Sequence, residues 1–73
     1  MAVNVEISSI VGVEPYDIYV CDTGFTTCIY ISTILDSDLT YTFSVPTLLQ
    51  YVPTLTLKIV DDDNCIILNN FNT

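Results

Sequence analysis

An all-β fold, a small antiparallel β-sandwich or barrel of six to seven strands, follows from three features of this 73-residue sequence. Val, Ile and Thr fill 27 positions, with five Tyr and three Phe beside them, whereas Ala occurs once and Glu twice. Branching at Cβ restricts χ1 and suits a pleated sheet better than a helix. Apolar and polar residues alternate in several short runs, the period-two signature of half-buried strands. Turn-forming residues separate those runs at spacings of about 10–12 residues, the cadence of a small sandwich or barrel. One domain, residues 1–73, accommodates the whole pattern.

Each element has its own reason. Val3, Val5 and Ile7 alternate with Asn4, Glu6 and Ser8 as a first strand, and residues 9–15 connect it onward with Gly12 and Pro15 as breakers. Residues 16–21 form the second strand, with Tyr16, Ile18 and Val20 on one face. A turn over residues 22–27, centred on Gly24, leads to a return strand at residues 28–32, which makes a hairpin. Residues 33–39, carrying Asp36 and Asp38, are a polar connection. Tyr41, Phe43 and Val45 then mark the buried side of a strand at residues 40–45. Residues 46–53 are an apolar connection bounded by two prolines, within which residues 50–52 offer a seventh strand. Leu55, Leu57 and Ile59 alternate with Thr54, Thr56 and Lys58 in the next strand. Asp61, Asp62, Asp63 and Asn64 make a turn, and residues 65–69 close the sheet before a polar end that holds Phe71. The two hairpins echo each other, since an acid opens each turn and a Cys starts each return strand. Duplication would produce that likeness, and ordinary hairpin chemistry, the preferred reading, produces it as well.

The charge balance narrows the function. One Lys, nine acids and no His leave a formal net charge of -8, and no Arg is present. The chain therefore lacks an imidazole base, a bidentate phosphate clamp and the basic patch that nucleic-acid binding needs. High charge with low hydrophobicity marks disorder, but 51% of these residues are hydrophobic and only 14% charged, so the chain folds. No enzyme activity, metal or cofactor is expected. A membrane span is not expected either, because Pro46, Gln50 and Pro53 interrupt the acid-free stretch over residues 39–60 far short of the roughly 20 apolar residues required. Residues 1–4 lack the basic and apolar regions of a secretory signal, so synthesis in a cytoplasm-like compartment is expected.

Three clusters carry candidate chemistry. Asp61, Asp62 and Asp63 offer oxygens of the kind Ca²⁺ takes, but the EF-hand spacing is not met and Asp and Asn are ordinary turn residues. A solvated turn is the preferred reading. Cys21, Cys28 and Cys65 are read as reduced, buried thiols; their spacing does not suit zinc, and sequence leaves a Cys21–Cys28 bridge open. The third cluster is the proline-bounded segment. Leu48, Leu49, Tyr51 and Val52 are too apolar for a free loop, and with Phe71 they form the expected partner-docking set. The plainer reading of that segment is a crossover that caps the open end of the sandwich, and the docking surface is the sharper one. Six acids precede residue 39 and three sit at residues 61–63, so the acids are expected toward solvent and residues 46–53 toward a partner.

Several runs also carry a likeness. Pro15-Tyr16-Asp17-Ile18-Tyr19-Val20-Cys21-Asp22, Cys28-Ile29-Tyr30-Ile31, Val45-Pro46, Lys58-Ile59-Val60-Asp61 and Asp63-Asn64-Cys65 together resemble small β-proteins of tailed bacteriophages. They are most similar to those of crAss-like phages of gut Bacteroides. Asp63-Asn64 departs from the Asn-Gly or Asp-Gly turn expected before the last Cys, which leaves the tightness of that hairpin open. The resemblance implies a virion structural protein whose antiparallel β-sandwich is immunoglobulin-like or related, with no catalytic residues. Its expected role is an auxiliary or decoration protein on the capsid, bound to the major capsid protein within a large assembly. Alternatives are a tail or fibre-anchoring subunit, or a soluble acidic module acting on a host protein.

Overall fold

A computed structural model describes residues 4–72 as two antiparallel sheets. Val3, assigned above to the first strand, and Thr73 lie outside the described residues. The strands are β1 (Asn4–Ile7), β2 (Tyr16–Asp22), β3 (Cys28–Ile34), β4 (Tyr41–Ser44), β5 (Thr54–Val60) and β6 (Ile66–Asn72). β1 pairs with β4, and a four-stranded sheet runs in the order β3-β2-β5-β6. The protein is a small all-β sandwich, with six strands among the described residues. Residues 50–52 do not form a seventh strand, because a 3-10 turn at Thr47–Leu49 carries the chain through that connection. β6 runs on past residue 69 to Asn72, and the side chains of Asn70 and Asn72 accept from Thr56 at 2.8 Å and Thr54 at 3.1 Å.

Period-two burial builds the core. Tyr16, Ile18 and Val20 of β2 face inward beside Leu55, Leu57 and Ile59 of β5, and Ile34 of β3 joins them. Ile7, Phe43, Val45 and Leu49 close the core from the smaller sheet and the turn after it. Each such buried aliphatic side chain contributes about 1.5–3 kcal/mol. The outward faces alternate with these positions, so register rather than composition decides what meets there. One row across the larger sheet reads Tyr30, Tyr19, Lys58 and Leu68. Tyr19 and Tyr30 meet edge to face at 5.6 Å, and Lys58 Nζ lies 5.4 Å from the Tyr19 ring centroid.

The two hairpin turns share a construction. Asp22 donates its N–H to the Thr27 carbonyl, and its side chain accepts from the Thr26 N–H at 2.8 Å. Asp61 likewise donates its N–H to the Cys65 carbonyl, and its side chain accepts from Asp63 and Cys65. The residue three positions after each Asp is left-handed: Phe25 at φ 55° and Asn64 at φ 64°. The first turn thus pivots on Phe25 and not on Gly24, as the sequence suggested. In the second, Asn64 takes the conformation a Gly would have supplied, since its short polar side chain tolerates that region. The missing Asn-Gly pair does not loosen the hairpin.

The expected set of three reduced thiols is corrected. Cys21 and Cys28 are directly opposite in the β2–β3 register with Cα atoms 4.1 Å apart, and they form a disulfide. Cys65, expected to be buried, is free and exposed. The cause is the turn: five residues between β2 and β3 fix the register that faces the two cysteines, and spacing alone does not reveal register.

Candidate interaction surface

Two strands lie over four, and the mismatch leaves part of the larger sheet uncovered. A groove of about 510 Å³ opens between β1 with the residues after it and the inward face of β5 and β6. Its walls are mainly apolar, with Ile7, Ile10 and Val11 on one side and Leu57, Ile67 and Phe71 on the other. Glu6, Ser8, Ser9 and Asn69 supply the polar rim. The sequence marked Ile7, Leu57 and Phe71 as apolar, but alternation along a strand does not tell whether a second sheet covers it. Ile10 and Val11 lie in the connection after β1, and no local signal distinguishes them.

The expected docking set divides. Leu48 is 71% exposed and Tyr51 84% exposed, so both stand free on the surface. Leu49, only 2% exposed, belongs to the core, and Val52 and Phe71 pack against it as partly buried residues. The 3-10 turn causes the split by rotating consecutive leucines to opposite sides, while the Gln50 side chain ties the segment back to the Val45 carbonyl at 2.8 Å. Leu49 and Val52 therefore cap the sandwich and Leu48 and Tyr51 face outward. Phe71 reappears as a wall of the groove.

The acids are not uniformly in solvent. Asp61 is buried, with Oδ1 accepting from the N–H groups of Asp63 at 2.9 Å and Cys65 at 2.8 Å. Its Oδ2 accepts from the Val13 N–H at 3.3 Å, and the Asp62 N–H donates to the Val13 carbonyl at 2.9 Å. The carboxylate thereby welds the β5–β6 turn to the connection after β1. Gly12 is required by this approach, because a Cβ there would lie 2.8 Å from Asp61 Oδ2. Among the described residues, no group of three or more His, Cys, Asp or Glu side chains is placed to hold a metal ion.

A second polar knot lies nearby. The buried Tyr16 hydroxyl donates to Asp36 Oδ1 at 2.7 Å, with the Gly12 carbonyl at 3.2 Å as a further acceptor. Its phenol is raised to about 12 from the ordinary 10.0, first by the bond to the Asp36 carboxylate, then by burial and by the negative charges of Asp36, Glu14 and Asp61. The Asp36 N–H in turn donates to Glu14 at 2.8 Å. These acids organise loops, and the groove with the exposed Leu48 and Tyr51 is the surface suited to contact. Among the described residues, no helix is long and apolar enough to cross a membrane. No family model, curated protein or solved structure matches the chain.

Proposed function

We propose that this chain is a structural protein of a bacteriophage particle, bound as an auxiliary or decoration subunit to the capsid shell. The observation that carries the reading is the uncovered side of the sandwich: an apolar groove over β5 and β6, with exposed Leu48 and Tyr51 beyond it. Exposed apolar surface of this kind marks protein contact sites. The acids are turned to organising loops, and a net charge of -8 with one Lys favours a place on the outside of a particle over one against packaged nucleic acid. The likeness to phage β-proteins supplies the kind of assembly. A tail or fibre-anchoring position would use the same surface.

Mass spectrometry of purified particles tests this directly. A virion subunit is expected in many copies per particle, and its absence from intact particles rejects the reading. Leu48→Ser with Tyr51→Ser should then lower occupancy on particles while leaving the fold intact by circular dichroism. Recovery of the chain only with a host protein from infected cells would favour the soluble-module alternative.

A further inference from the structure

The two sheets present four edges, β1, β4, β3 and β6, and these are not alike. Natural edges avoid pairing with other chains by being short, charged, bulged or interrupted by Pro. β1 and β4 are four residues long, and β1 carries Glu6. β3 is longer but its ladder with β2 shifts register at Ile31, which breaks the regular edge. β6 has none of these protections. Its seven residues, Ile66–Asn72, hold no charge and no Pro, and they pair with β5 without a register shift.

We propose that β6 is the contact through which a second copy of this chain joins, antiparallel and edge to edge, about a two-fold axis at Asn69. The result is a continuous eight-stranded sheet. This goes beyond the particle reading and does not depend on it.

Charge placement admits a second copy and selects its direction. At a net charge of -8, two copies approach only where acids are far apart. Antiparallel pairing of β6 sends the two Asp61, Asp62 and Asp63 turns to opposite ends of the shared ladder, roughly 20 Å apart at 3.4 Å per residue. That exceeds the screening length of about 8 Å at physiological ionic strength. Parallel pairing would set those turns side by side. Pairing through β1 would bring the Glu6 residues of both copies together, so β6 is the edge that admits a copy.

Side chains agree with that axis. Centring on Asn69 puts Ile67 opposite the copy's Phe71, and the reverse, on the inward face where both residues line the groove. The apolar floor then continues across the seam. On the outward face, Leu68, 50% exposed, comes opposite the copy's Asn70. Because the same strand meets itself, the interface is isologous and closes at two copies.

Sedimentation analysis across micromolar to millimolar concentration tests the proposal. The wild-type chain should show a monomer–dimer equilibrium. Leu68→Glu should weaken it by about tenfold or more, since two carboxylates would then sit diagonally across the seam. Within one copy Lys58 lies opposite position 68, so this variant is expected to stay folded. Leu68→Thr, neutral and strand-forming, should keep the dimer. Should Leu68→Glu not fold, hydrogen exchange on the wild type decides: β6 amides gain protection with concentration while those of β3 do not. A monomer throughout, open-ended growth, or a dimer with unchanged β6 exchange overturns the proposal.

Discussion

Asp61 shows how one carboxylate in an acidic chain becomes structural. Three backbone N–H groups converge on it, and they belong to segments 48 residues apart in sequence. Bonds to an ionised acceptor are stronger than neutral ones, and leaving buried donors unpaired costs about 1–3 kcal/mol for each. Asp61→Ala should therefore destabilise the fold by roughly 3 kcal/mol, read as a lower urea midpoint. Gly12→Ala should cost about 1–3 kcal/mol by pushing a methyl group into the same carboxylate, and an unchanged midpoint would contradict the close approach. Tyr16 gives a pH signature. Its phenol sits at about 12 when folded and near 10.0 otherwise, so the folded state keeps a proton that the unfolded chain has already released. That stability is whole below pH 10 and declines as pH rises toward 12. Ultraviolet titration should find one of the five phenols ionising near pH 12, and Tyr16→Phe should remove its share of the alkaline decline.

At the scale of elements, the β2–β3 hairpin invites the sharpest measurement. Its disulfide closes a loop of seven residues in sequence separation, for which chain entropy gives about 2.5 kcal/mol of stabilisation. Reduction, or the double change Cys21→Ala with Cys28→Ala, should lower stability by about that amount. A midpoint indifferent to reductant would mean that the thiols are not joined. The same hairpin shows where sequence reading succeeds and fails. Alternation over residues 16–20 and 55–59 correctly named the inward side chains, because a half-buried strand must repeat every two residues. Pairing depends on how five turn residues arrange themselves, so neither the bridge nor the left-handed Phe25 was legible. The segment at residues 46–53 divides between capping and exposed positions for a related reason. Leu48 and Leu49 are chemically identical neighbours, and only the 3-10 turn decides which is buried.

For the whole molecule, the imbalance of two strands over four organises the surface. It was not readable from the sequence, since each strand advertises an inward face without saying what covers it. The candidate groove exists because β5 and β6 extend past the smaller sheet. The net charge acts at this scale too. Repulsion among nine acids opposed by a single Lys strains the folded state, and counter-ions relieve it. Raising NaCl from 10 mM to 200 mM should therefore raise the melting temperature, by about a few degrees for a domain of this size. A melting point that falls with salt would mean that local charge pairing dominates.

The bond between the Tyr16 hydroxyl and the Asp36 carboxylate has a spectroscopic consequence. The chain contains no Trp, so its ultraviolet emission comes from tyrosine alone. A phenol becomes far more acidic on excitation, and one already hydrogen-bonded to a carboxylate can pass its proton there before emitting. Tyr16 should be dim in the folded protein and brighten when Asp36 is pulled away. Emission from a chain without indole thus reports on the knot that joins β2 to the loop after β3, and Asp36→Ala should raise it while the fold persists.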